Sequence, residues 1–299
     1  MARQTLINPE SDWGPDVKTA WATNVEAANA NFEELYGGAG SVGPTIVVAA
    51  SNSTDLSLAD YVCDGTDDDV TINAALAALP ATGGEVLLLE GLYTVSDTIH
   101  VPSYCWLHGN GYGTHIQLKA GQTTAINLVE NADTTSGNTH IRISGLRIDG
   151  NSGTMGEGAL GQQKGISLVR ASHFIVEGNW IENLGNLATA SCEAIRPRAC
   201  SYGVIRGNVI SNTVDGINTS NDGSTYSKYL TITGNVITST CRDYPLNIAG
   251  CTDCVWANNV CTEAYKEAST SRRRREMSSP TTSCPRADGR RTTPITESN

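Results

Sequence analysis

Three carboxylates fall at matching places in a repeating part of the chain. Glu193 stands two residues before Ile195, Asp215 two before Ile217, and Asp243 three before Leu246. Hydrolysis of a glycosidic bond needs two carboxyl groups, about 5 Å apart for retention and about 6.5–9.5 Å apart for inversion. Strands stacked at about 4.8 Å supply the shorter separation between adjacent rungs and the longer one between alternate rungs. One member of a close pair can be held protonated as the acid. Glu193, Asp215 and Asp243 are therefore the expected catalytic groups, with Lys164 at the matching place one repeat earlier. Arg196, Arg198 and Arg206 are suited to acidic sugars, and Trp106, Tyr112, Trp180 and Tyr202 to stacking on sugar rings; Arg196, Arg198, Asn218, Trp180 and Tyr202 form the expected substrate-binding set. Lyase chemistry would want a basic residue near a cation site, and Arg198 close to Glu193 is the one hint of it. A plainer reading stays open, in which the acids are solvated corners of an acidic solenoid and the arginines are ordinary surface.

What would position these groups is an internal repeat. The segments 171–185, 200–214, 227–241 and 251–265 align without gaps. Each carries an asparagine, Asn179, Asn208, Asn235 and Asn259, spaced 29, 27 and 24 residues apart. Three residues earlier lie Val176, Ile205, Ile232 and Trp256; two residues later lie Ile181, Ile210, Ile237 and Cys261. The segment 140–150 fits the same apolar columns with Leu146 in the asparagine place. A further column, Ile166, Ile195, Ile217 and Leu246, precedes each segment, so every coil holds at least two short strands. Alternation sends the apolar set inward, and the repeat stacks like on like. Asparagine tolerates left-handed backbone at a corner, and its amide can bond to the asparagine one rung away. The expected fold is all-β: a single-stranded, right-handed parallel β-helix.

The same alignment accounts for most cysteines. Cys254 shares an inward column with Phe174 and Leu230, Cys261 joins the isoleucines, and Cys200 and Cys251 share a column with Ala171 and Ser227. They read as buried free thiols acting as small hydrophobes. Cys251 and Cys254 lack the second paired motif that zinc would want, so neither a metal nor another cofactor is expected.

Composition narrows the partners. The formal net charge is −11, and residues 266–299 carry a net +4, leaving −15 on the rest. An acidic body disfavours a nucleic-acid partner, despite the run Arg272 to Arg275. No stretch approaches the roughly 18 apolar residues that a membrane span needs. The first residues lack the apolar core of a secretory signal, so export by the usual route is not expected.

Four regions are expected. Residues 1–40 form a helical unit whose stripe is Val17, Trp21, Val25, Ala28, Phe32 and Leu35. Residues 41–60 read as a linker containing the short apolar run Ile46 to Val48. Residues 61–265 form the β-helix together with its N-terminal capping helix, which is capped by Thr66 or Asp67, buries Ile72, Ala75, Leu76 and Leu79, and stops at Pro80 and the pair Gly83-Gly84. Residues 266–299 lose the apolar periodicity and read as a disordered or out-of-frame tail.

Three resemblances follow. Residues 64–118, with DGTDDD, GGEVLLLEGLY and LHGNGYG, resemble the start of the pectate-lyase-like β-helix superfamily, with Glu90 where that pattern often has proline. The superfamily holds lyases, hydrolases, epimerases, phage tailspikes and non-catalytic members, so the resemblance implies a fold more than an activity. Residues 22–37, with Asn29, Asn31, Phe32, Glu34, Leu35 and Tyr36, resemble the N-terminal segment of phage tail fibres and tailspikes. That implies a virion tail protein, assembled in the host cytoplasm and acting outside it. Its implied partners are tail or baseplate proteins and host surface polysaccharide, with a homotrimer by analogy. The stretch NTVDGINTS resembles a polygalacturonase motif with Val214 inserted before Asp215, but that family's other motifs are missing. Three functions are thus weighed: a tailspike-type protein that binds polysaccharide, with or without depolymerising it, a bacterial extracellular polysaccharide lyase or glycoside hydrolase, and a non-catalytic structural solenoid.

Overall fold

The computed structural model describes residues 43–154, 162–185, 192–238, 244–248 and 250–262. The expected N-terminal helix, Asp243 and the basic tail lie outside the described residues. Within them the chain winds through three parallel sheets, visiting each once per coil. The first sheet runs from Tyr61–Val62 and Thr45–Ala49 through Gly84–Leu88, Cys105–Gly109, Thr139–Ser144, Ser172–Glu177 and Ser201–Arg206 to Ser227–Thr233 and the last rung. The second contains Trp180–Leu184 and Val209–Thr213; the third contains Lys164–Val169, Glu193–Arg198 and Asp215–Asn218. The result is the right-handed parallel β-helix expected from the repeat.

The columns are register partners. Ile166, Ile195, Ile217 and Leu246 pair in sequence, as do Val176, Ile205, Ile232 and Trp256. All eight are buried. The asparagine ladder is also present. Each amide nitrogen donates to the next Oδ1: Asn179 to Asn208 at 3.0 Å, Asn208 to Asn235 at 2.9 Å, and Asn235 to Asn259 at 2.9 Å. Each Oδ1 also accepts a backbone N–H, and at the head of the ladder that donor is Leu146. The left-handed backbone is one residue earlier than expected, at Gly178, Gly207, Gly234 and Asn258. The turn needs a residue that tolerates positive φ, and the buried ladder asparagine then has its whole amide free for neighbouring rungs.

Other expectations change. The stretch expected as linker supplies Thr45–Ala49, which pairs with strands on both sides because Val48 and Ala49 are fully buried. The helix spans Asp69–Ala77 with Asp68, not Thr66 or Asp67, at its N-cap. The Asp68 carboxylate reaches away from the helix and accepts N–H bonds from Gly65 and Thr94 at 2.9 and 2.7 Å. Of the expected face, Ile72, Ala75 and Leu76 are buried, whereas Leu79, past the end of the helix, is only partly buried. Asn73 closes the edge of the third sheet, donating to Thr98 O and accepting from His100 N, both at 2.8 Å. Cys251 and Cys254 are joined as a disulfide rather than held as free thiols. Both side chains enter the same small corner of the last rung, with Cα atoms 6.4 Å apart, within bridging range.

Candidate functional site

Lys164, Glu193 and Asp215 are register partners on three consecutive rungs at the start of the third-sheet strands. They are 3%, 3% and 5% exposed, so the two acids are not solvated corner groups. Lys164 Nζ lies 2.9 Å from Glu193 Oε2. Asn218 Nδ2 donates to Glu193 Oε1 at 3.4 Å, and Asp215 Oδ1 accepts the Tyr244 N–H at 2.8 Å. Glu193 Oε2 is held by the Lys164 ion pair, whereas among the described residues neither side-chain polar atom of Gln163, fully buried beside Lys164, has a hydrogen-bond partner. Each such orphan costs about 1–3 kcal/mol. The corner thus holds more hydrogen-bonding capacity than the described residues use.

Arg196 and Arg198 share the strand of Glu193. Arg196 Nε donates to Ser220 Oγ at 3.3 Å and Arg198 Nε to Asn221 O at 3.4 Å. The loop they touch is pinned by Asp222, whose carboxylate takes the Arg170 guanidinium at 2.8 and 3.0 Å. The Thr225 N–H, Arg170 and the Ser224 N–H hold the Asp222 carboxyl well below the usual carboxylate range. Glu193, Asp215, Arg196, Arg198 and Asn218 therefore share one sheet.

The two expected aromatic platforms are elsewhere. Trp180 is on the second sheet, edge-on to Tyr112 with centroids 5.7 Å apart. Tyr202 belongs to a stack at the start of the first-sheet strands: Tyr104, His140, His173, Tyr202 and Tyr229, with centroids 5.0–5.2 Å apart. His173 and Tyr229 cover its two faces, so a sugar ring cannot stack on Tyr202. All five have left-handed backbone, with φ from 53 to 59°. Bulky residues adopt that region at a cost, which ring stacking of about 0.5–1.5 kcal/mol per pair offsets.

Two charged clusters were not expected from residue type, although one of them contains Arg206, an arginine suited to acidic sugars. On the second sheet, Asp149 accepts from Gln117 and Asn183 and lies 3.3 Å from the His115 ring, while Arg147 pairs with Glu182 at 2.7 Å. On the first sheet, Glu177 lies between Arg142 and Arg206. The signal for the second cluster was in the alignment, since Glu177, Arg206 and Thr233 each stand two residues before a ladder asparagine. Among the described residues, no group of three or more His, Cys, Asp or Glu is placed to hold a metal ion.

No protein-family model matches the chain, and no curated protein matches it in sequence. Solved structures do match in fold. An alginate lyase from Paenibacillus is similar with a TM-score of 0.53 at 19% identity, covering 74% of this chain and 67% of that one. The ORF18 protein of Geobacillus virus E2 is similar with a TM-score of 0.50 at 20% identity, covering 67% of this chain and 40% of that one. A tailspike of E. coli bacteriophage HK620, solved with a pentasaccharide, matches with a TM-score of 0.41 at 14% identity, covering 66% of this chain and 42% of that one. The chain thus spans less than half the length of the two viral proteins. At these identities the similarity to the alginate lyase and to ORF18 is one of fold, and it agrees with the three-sheet solenoid described above.

Proposed function

We propose that this protein is a tailspike- or tail-fibre-type β-helix that binds a host surface polysaccharide and cleaves it at the Glu193–Asp215 corner. The observation that carries this reading is the corner itself: two in-register carboxylates, a lysine paired with one of them, and a buried glutamine, Gln163, whose side-chain amide has no partner among the described residues. Partners on adjacent strands have backbones about 4.8 Å apart, close to the carboxyl separation of about 5 Å in retaining glycosidases.

The roles follow from the neighbours. Glu193, held in place by the Lys164 ammonium at 2.9 Å, is the group positioned to attack the anomeric carbon. Asp215 then gives its proton to the leaving glycosidic oxygen as the C–O bond breaks. Water hydrolyses the glycosyl–Glu193 ester and returns a proton to Asp215. Asn218 orients the Glu193 carboxylate, and Arg196 and Arg198 on the same strand engage acidic groups of the substrate.

The near-complete burial of the pair favours a second reading, polysaccharide binding without cleavage, in which the ion pair only locks the corner. Incubation of the full chain with capsular and lipopolysaccharide substrates separates the two. New reducing ends without an ultraviolet-absorbing unsaturated product, lost in Glu193→Gln and in Asp215→Asn, support hydrolysis. An unsaturated product points to a lyase instead. Binding with no product supports the second reading, and absence of binding to every polysaccharide overturns both.

A further inference from the structure

On the outer face of the first sheet, Ser144, Glu177, Arg206 and Thr233 form one column over four consecutive rungs. The next residue on each rung, at the turn, is Gly145, Gly178, Gly207 or Gly234, with φ of 61–66°. With Arg142 these residues line an open cavity of about 610 Å³. A Cβ added at Gly178 or Gly207 would meet nothing within 4 Å, so any side chain there would project into the cavity. Four rungs at about 4.8 Å give the groove a length of about 14 Å along the solenoid axis.

Its electrostatics run against those of the whole molecule. Arg142 holds Glu177 Oε1 through Nε at 2.8 Å and a terminal nitrogen at 2.6 Å. Arg206 holds Oε2 through Nε and a terminal nitrogen, both at 2.7 Å. Two guanidiniums share one carboxylate on a protein of net charge −11. The Arg206 side chain is 36% exposed, whereas that of Glu177 is 14% exposed, so the cationic side faces outward. The shared carboxylate fixes both guanidinium planes, and much of the rotamer entropy that binding would otherwise cost is already lost.

We infer that this groove is a second saccharide site, separate from the third-sheet corner, that takes an acidic polysaccharide laid along the solenoid axis. Carboxylate or sulfate groups of the sugar meet Arg142 and Arg206, hydroxyls meet Thr233, and the apolar faces of the rings lie against the Gly178 and Gly207 turns. The inference rests on the reading that the ligand is a polysaccharide, and not on cleavage.

The test is calorimetric titration of the full chain with oligouronates and with uncharged dextran oligosaccharides, at low and high salt. Wild type is expected to bind oligouronates, more weakly as salt rises, and to bind dextran much less. Arg206→Ala is expected to weaken oligouronate binding about tenfold or more, the loss of a hydrogen bond to a charged group. Thr233→Glu places a carboxylate in the groove beside its register partner Arg206, where it competes with an acidic ligand for the outward guanidinium, and is expected to weaken binding similarly; thermal unfolding and circular dichroism establish that each variant is folded. Unchanged affinity in folded Thr233→Glu, or equal binding of dextran, overturns the inference. If Glu193→Gln abolishes cleavage yet keeps oligouronate affinity, the groove is supported independently of the corner. If wild type cleaves polysaccharide while the groove variants bind oligouronates as wild type does, the inference fails and the proposed function stands.

Discussion

The ammonium of Lys164 lies 2.9 Å from the Glu193 carboxylate, with only 4% and 5% of the two side chains exposed. Breaking a buried ion pair from one side leaves an uncompensated charge, at a cost of about 3–5 kcal/mol. Lys164→Met should therefore lower the unfolding midpoint in urea strongly. The double variant Lys164→Met/Glu193→Leu should recover most of the loss. A double variant no more stable than Lys164→Met would show that the pair is not coupled as described.

Asn208 uses its whole amide inside the ladder. It donates to Val176 O and Asn235 Oδ1 and accepts from the Asn179 backbone and side chain. Asn208→Ala strands several buried partners and is expected to cost about 3 kcal/mol or more, at about 1–3 kcal/mol for each unsatisfied group. Asn258→Gly should be neutral or slightly stabilising, because φ there is +56° and glycine adopts it without strain. Equilibrium denaturation of both variants checks the contrast.

Phe174 lies directly over Gly203 in register, and a Cβ on Gly203 would overlap its ring. Gly203→Ala should destabilise the wild-type background and do so much less in Phe174→Leu. A double-mutant cycle measures the coupling, and additive effects would contradict it.

Acid sensitivity should be visible at Asp149. Burial alone would push this carboxyl up, but hydrogen bonds from His115, Asn183, the Asn151 N–H and Gln117 outweigh it and hold the group well below the usual carboxylate range. Glu177 is likewise held low, with burial outweighed by Arg206 and Arg142. A carboxyl with a depressed folded pKa contributes stability above its unfolded value, about 3.9 for aspartate and 4.3 for glutamate. That contribution is lost as pH falls through the folded pKa. Stability measured by urea unfolding should thus decline below about pH 4. Asp149→Asn should lower stability at neutral pH and flatten the decline; a parallel decline in the variant would exclude Asp149 as a contributor.

Burial pushes the thiols of Cys63, Cys105 and Cys200 up to about 12. Peptide-resolved alkylation of the native protein near neutral pH should leave these three unmodified and label them after denaturation. Rapid native labelling of any of the three would mean that its rung opens.

The Ile166–Ile195–Ile217–Leu246 column and the Asn179–Asn259 ladder could be read from spacing alone. In a solenoid, residues one coil apart are neighbours, so a one-dimensional repeat already contains the strand register. The same logic placed Glu193 beside Asp215, and the structure confirms that pairing of positions. Periodicity carries no information on what covers a corner or which columns meet across one. Coil lengths vary, and the turn conformations decide where each side chain goes. Only the tertiary structure therefore put Glu193 and Asp215 out of solvent, covered both faces of Tyr202, placed Trp180 on another sheet and joined Cys251 to Cys254. It also brought Arg142 and Arg206 onto the two oxygens of Glu177, because the contact depends on side-chain direction across three rungs, which residue spacing does not specify.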